Sequence, residues 1–197
     1  MDLSKFCKDL ELKSNYPSES NESPNLHVEV LDIPGHRFEL EYTSRKLKDQ
    51  DEHMEFWTMV ESMRPAVAFT WKPPIISKIR GVGGNAIVQE TPPGSFEFSV
   101  YNAPPDVVWL KAGDLITLAN QTKVYRVMAD VITNQAGEGV VKLNCPIKKR
   151  IPAGTTVNGS GAEFTLIKKP GSKPQSYELK AGTPLIAYAK LDFIEFL

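Results

Sequence analysis

The chain has 197 residues, 41% hydrophobic and 24% charged, with a formal net charge of -1. That is enough chain to bury a core without staples, and the near-neutral balance argues against a dedicated nucleic-acid binder, which carries a basic excess. Two cysteines, Cys7 and Cys145, exclude a disulfide framework and form no zinc spacing with histidine, so they read as free thiols of a reducing compartment.

In chain order, "LSKFCKDLELKS" (3–14) is short and weakly amphipathic. Residues 15–25, "NYPSESNESPN", are rich in Ser, Asn, Glu and Pro and predict an exposed loop or arm. Residues 26–33 and 37–43 alternate with period two around "PGH" and predict a β-hairpin. Residues 48–64 predict the clearest helix, with Asp49, Asp51 and Glu52 at its start. Its expected apolar stripe is Met54, Trp57 and Met63, with Phe56 and Val60 beside them, and Pro65 ends it. A strand follows over 66–71, then Pro73-Pro74 and the glycine-rich "RGVGGN" (80–85), read as an inter-domain hinge.

From there the chain reads as strands, at 95–100, 114–119, 123–132, 139–145 and 163–168, punctuated by Gly, Pro and Asn as in a small barrel or sandwich. The phrase Leu110-Lys111-Ala112-Gly113 is echoed at 179–182, with a cousin in Ile151-Pro152-Ala153-Gly154. Each glycine offers a tolerant backbone just before a strand, so the phrase is framework. The apolar run at 184–197, interrupted by Asp192 and Glu195, needs burial and is best buried by a return to the first sheet. The expected fold is therefore mostly β within the α+β class. A discontinuous β-sandwich-like domain with one helix (1–83 and 178–197, with 15–25 as the arm) carries an inserted OB-like β-barrel at 84–177.

Chemistry is sparse. His27, His36 and His53 stand outside any hydrolase or metalloprotease motif. "RGVGGN" lacks the Lys-Ser/Thr of a phosphate loop, and Asp114 and Asp130 read as turn residues. No catalytic residue, metal ligand or cofactor is expected. Trp109 and Tyr125, with Trp71, are candidate sugar-stacking faces if the barrel is a binding module, with core or rim packing as the other reading. A hydrolase reading would reopen if His36 met a carboxylate in a pocket. Charge is unevenly spread. Residues 1–61 hold seven Lys and Arg against fourteen carboxylates, while 142–180 hold eight against two. Lys148, Lys149 and Arg150 are the candidate contacts to an acidic partner surface or to another copy of the chain. Met1-Asp2-Leu3-Ser4 has no signal-peptide character, and no apolar run reaches membrane-spanning length, which predicts synthesis in a cytoplasm and no membrane insertion.

The order of these segments resembles the distal tail proteins (Dit family) of long-tailed bacteriophages, in the small two-domain form. The resemblance rests on "HRFELEYTS", "DEHMEFWTMVESMRP", "VAFTWKPPI", the linker ending "IRG", "LKAGDLITLANQTKVYRVMADVITNQAGEGVVKLNCPIKKRIPAG" and "KLDFIEFL", and covers roughly residues 26–197. It implies a non-enzymatic virion component, made in the host cytoplasm. Six copies would form a ring at the tail tip, between the tail tube protein and the hub or straight-fibre proteins. The barrel would project outward as a structural or fibre-docking platform. The alternative is a carbohydrate-binding module that recognises a host surface glycan through the barrel.

Overall fold

The computed structural model describes residues 2–22, 28–33, 35–64, 66–171 and 189–197. Among them the protein is mostly β with a single α-helix. Five antiparallel strands build the first sheet: β1 (Cys7–Asn15), β4 (Arg37–Ser44), β5 (Phe69–Trp71), β14 (Phe164–Lys168) and β15 (Lys190–Glu195), in the order β1-β4-β15-β14-β5. Alternation turns Phe38, Leu40 and Tyr42 of β4 and Leu191 and Phe193 of β15 to one buried face. The helix α1 (Gln50–Ser62) and a 3-10 turn (Leu3–Phe6) belong to the same core, Phe6 meeting Phe56 edge-on at 5.5 Å. The layer found over this sheet is thus a helix, where the sequence pattern predicts a sandwich.

Local chemistry explains the helix start. Asp49 Oδ1 accepts from Glu52 N at 2.8 Å, while the Glu52 carboxylate accepts from Lys48 N and takes both arms of Arg45. The buried stripe runs through His53, Phe56, Trp57 and Val60. Met54, expected in it, is exposed, because its position falls a helical step outside that arc.

The second sheet has six strands: β6 (Ala86–Val88), β7 (Glu97–Tyr101), β9 (Leu115–Leu118), β10 (Val124–Arg126), β12 (Gly139–Lys142) and β13 (Thr156–Asn158). They run in the order β10-β9-β13-β6-β7-β12. The sheet curls until the continuations of its two edge strands meet, Val127 bridging to Leu143. A small pair, β8 (Val108–Leu110) with β11 (Val131–Ile132), adds Trp109, Leu110 and Val131 to the core inside. Residues 123–132, expected as one strand, are therefore two strands with different partners. Residues 163–168, expected in this inserted unit, lie in the first sheet as β14, bonded to β15 and β5. Strand type was readable there; the partner, set by distant residues, was not.

The predicted hairpin of 26–33 with 37–43 is not formed. β3 (Val28–Asp32) pairs with β2 (Ser18–Glu22) in a separate two-stranded ribbon, and β4 pairs instead with β1 and β15. The expected loop or arm at 15–25 thus contributes a strand over its described part. The phrase at 179–182, the first part of the 184–197 run and His27 lie outside the described residues.

Candidate functional site

Where the two sheets meet, three charged or polar side chains are buried together. Lys123 stands just ahead of β10, Glu195 ends β15, and His36 precedes β4. The Lys123 Nζ lies 2.6 Å from Glu195 Oε2, with side-chain exposures of 4% and 0%. The carboxylate also accepts from Phe38 N at 3.0 Å and from Val124 N at 2.6 Å, one amide from each sheet. Lys123 spends its remaining donors on His36 Nδ1 at 3.0 Å and on the face of the Phe38 ring, 5.0 Å away. A buried ion pair holds only when its other lone pairs and protons are satisfied in this way. Glu195 therefore staples the second sheet to the first.

The cluster links His36 to the Glu195 carboxylate through Lys123 and sets it against the Ser14 hydroxyl, the kind of grouping that reopens a hydrolase reading. The proton positions close it for this cluster. An ammonium only donates, so His36 Nδ1 is an acceptor and Nε2 carries the ring proton, donating to Ser14 Oγ at 2.8 Å. A general base needs its lone pair toward the hydroxyl, and here the direction is reversed. Burial, reinforced by the Lys123 and Arg126 cations, pulls the imidazole pKa down to about 3, so the ring stays neutral. With Nε2 protonated, the nearby Asn144 amide donates instead to Tyr16 Oη at 3.1 Å, and the Tyr16 hydroxyl donates to Asn144 O. This second pair of contacts pins the base of the ribbon to the loop after β12.

The glycine-rich linker is strapped down. Val82 N and Gly83 N donate to the carbonyls of Val108 and Trp109, and Gly84 N to Gly159 O. Gly81 N and the Arg80 amide go to the Asp114 carboxylate, which also takes Arg80 Nε and Lys111 N. A Cβ on Gly81 would lie 2.3 Å from Trp109 O, so this closeness demands glycine. A cleft of about 530 Å³ opens beside the linker, but these five amides are spent on partners within the chain. The expected hinge is a strap, because the carbonyls of Val108, Trp109 and Gly159 supply partners that a sequence cannot display. Asp114 and Asp130 both serve turns, Asp130 accepting from Ala112 N, and Gly113, just before Asp114, sits at φ +94°.

Trp109 and Tyr125 are both fully buried and offer no face to a sugar; Trp71 is buried too. Trp109 Nε1 donates to Gly84 O, and Tyr125 Oη donates to Gln121 Oε1 and accepts from Lys148 N. Burial raises the Tyr125 hydroxyl to about 12 and the Cys145 thiol to about 11, so neither ionises at neutral pH. Lys148, Lys149 and Arg150 are exposed on one loop, Arg150 paired with Glu90. Some of the opposite charge is matched within the chain: Lys169 Nζ lies 2.8 Å from Glu39 Oε2, and with Asn15 and Arg37 it holds the Glu39 carboxyl at about 2.

Among the described residues, no group of three or more His, Cys, Asp or Glu is placed to hold a metal ion, and no helix is long and apolar enough to cross a membrane. Sequence reasoning missed Lys123 as a buried group, since nothing local marks it. Glu195 had a signal: its parity with Leu191 and Phe193 points it inward. Comparison with family models and with curated proteins gives no match for this chain.

Proposed function

We propose that the chain is a structural subunit of the tail tip of a long-tailed bacteriophage, of the distal-tail type. It would assemble as a six-membered ring between the tail tube protein and the hub or straight-fibre proteins, with the curled, OB-like unit turned outward. The observation that carries the reading is the architecture at the staple. The inserted β unit is bound to the sheet by Glu195 and strapped at its linker by Asp114, which makes a stiff two-part block. A subunit that transmits load along a tube needs such a block, and a closed ring needs two different complementary surfaces per copy. The burial of Trp109 and Tyr125 leaves the glycan-binding alternative without the residues it was built on.

The test is negative-stain imaging of the purified protein, alone and mixed with the tail tube protein of the same phage. Six-fold rings of about six times 21.9 kDa are expected in at least one of the two samples. A chain that stays monomeric in both, or forms only a closed dimer, contradicts the reading.

A further inference from the structure

The first sheet ends in two open edges. Among the described residues β1 pairs only with β4, and β5 only with β14. The five strands are each antiparallel to their neighbours and their number is odd, so the two edge strands run in the same direction. An open edge presents unpaired amides and carbonyls and is a template for another strand.

Backbone alternation fixes which groups each edge offers. In an antiparallel pair, successive residues bond to the partner and then turn away from it. Thr165 O accepts from Phe196 N, on the side away from β5, so its partner Thr70 turns N–H and C=O to the open edge. At the other edge Ser44 N donates to Ala189 O, so by alternation Tyr42 and Leu40 of β4 also bond toward β15. Glu39, Glu41 and Thr43 are left to hold β1, and Leu10, Leu12 and Ser14 turn their backbone groups outward.

The side chains complete the match. Leu10 and Leu12 lie half-buried on the core face of β1, and Phe69 does the same on β5. Upstream, Ala66, Val67 and Ala68 are exposed, Val67 at 50%. The sequence pattern predicts a strand over 66–71, yet in the single chain only Phe69–Trp71 is paired. In a parallel pair these outward groups set Thr70 opposite Lys13, and the core faces then coincide, Val67 and Phe69 meeting Leu10 and Leu12. An antiparallel pair of the same edges sets Thr70 opposite Leu10 or Leu12 and mixes outer face with core face. Sliding β5 two residues toward the start of β1 sets Lys72 opposite Lys13, two like charges.

We infer that β5 of one copy pairs in parallel with β1 of a second copy, Val67 and Phe69 lying against its Leu10 and Leu12. The seam joins two different edges of the chain between copies that point the same way, so it repeats head to tail and closes as a ring. This inference rests on the reading of the chain as a ring-forming subunit and names the edges that join.

Two variants block the β5 edge: Thr70→Pro, which removes an N–H that faces outward, and Val67→Lys, which places a charge at an exposed edge position. They are compared with the parent in the sample where it forms rings, alone or with the tail tube protein of the same phage. Each is expected to weaken assembly about tenfold or more by light scattering, with a far-UV circular dichroism spectrum like the parent's. The sharper arm is Glu11→Cys with Ala68→Cys in one chain. These exposed positions lie opposite each other across the seam. Within one copy they stand four strand spacings of about 4.8 Å apart, beyond the roughly 7 Å that a disulfide spans. Oxidation with diamide should give a ladder of covalent oligomers on a non-reducing gel, with the parent and its native Cys7 and Cys145 as the blank. Rings that both blocked variants form as the parent does, with no ladder, overturn the seam and leave the proposed function standing. A covalent dimer from Glu11→Cys alone, equal in yield to the ladder, overturns it in favour of two β1 edges meeting. A parent that forms rings in neither sample sinks the function itself, and the seam with it.

Discussion

Charged groups are used in opposite ways at the inner junction and on the outer face of the first sheet. At the junction one ion pair, Lys123 with Glu195, is sealed from water and carries two backbone amides with it. On the outer face many charges stand in solvent, and register even sets Glu11, Glu41 and Asp192 side by side across three strands. Lys13 sits among them, paired to Glu41. The difference teaches where ionic groups matter: burial makes one pair indispensable, and solvent makes several nearly neutral in effect.

The largest effect expected is at Glu195. Glu195→Ala leaves the Lys123 ammonium buried without a counter-charge and should cost about 3–5 kcal/mol in urea unfolding. The double variant Lys123→Met with Glu195→Gln removes both charges and keeps an acceptor for the amides, so its cost should be well below the sum of the single changes. Additive costs would mean that the pair is not coupled.

Acid is the next probe. His36 has a folded pKa of about 3 against an ordinary 6.5, so the unfolded chain binds the extra proton between those values. Stability contributed by the neutral ring is complete above pH 6.5 and is lost as pH falls toward 3. Glu39, at about 2 against 4.5, adds its own loss only below 4.5. Between pH 6.5 and 4.5 the slope from His36 should reach about 1.4 kcal/mol per pH unit, and His36→Asn should flatten it.

Smaller again is the strap. Gly81→Ala forces a methyl against the Trp109 carbonyl and should cost about 1–3 kcal/mol in thermal unfolding. At the exposed end of the comparison, Arg150→Ala should change stability by less than about 0.5 kcal/mol, since both it and Glu90 stand largely in solvent. Asp192→Lys, which breaks the row of carboxylates, should stabilise by about 0.5 kcal/mol, with the gain shrinking in salt.

The same contrast marks what the sequence made legible. Periodic segments spoke for themselves: Phe38, Leu40 and Tyr42 alternate and are buried, and Asp49 with Glu52 announces the helix. Pairing did not. "PGH" looks like a hairpin turn, yet β4 bonds to residues 7–15 and 190–194, because sheet partners are chosen by burial across the whole chain. The staple was half legible. Glu195 shares the inward parity of Leu191 and Phe193, whereas Lys123 looks like any turn lysine until the C-terminal strand is laid beside it. The exposed loop of Lys148, Lys149 and Arg150 was visible as a charge cluster, but the groove of about 400 Å³ beside Lys148 exists only once residues 35–36, 93–94, 123, 146–148 and 197 come together.

If Glu195 joins the two sheets as the geometry of its bonds indicates, they unfold as one block. Differential scanning calorimetry of the parent protein and of Glu195→Gln tests this most directly. One cooperative transition is predicted for the parent, and two separated transitions, one for each sheet, for the variant. Two transitions in the parent, or an unsplit and unshifted transition in the variant, would contradict it.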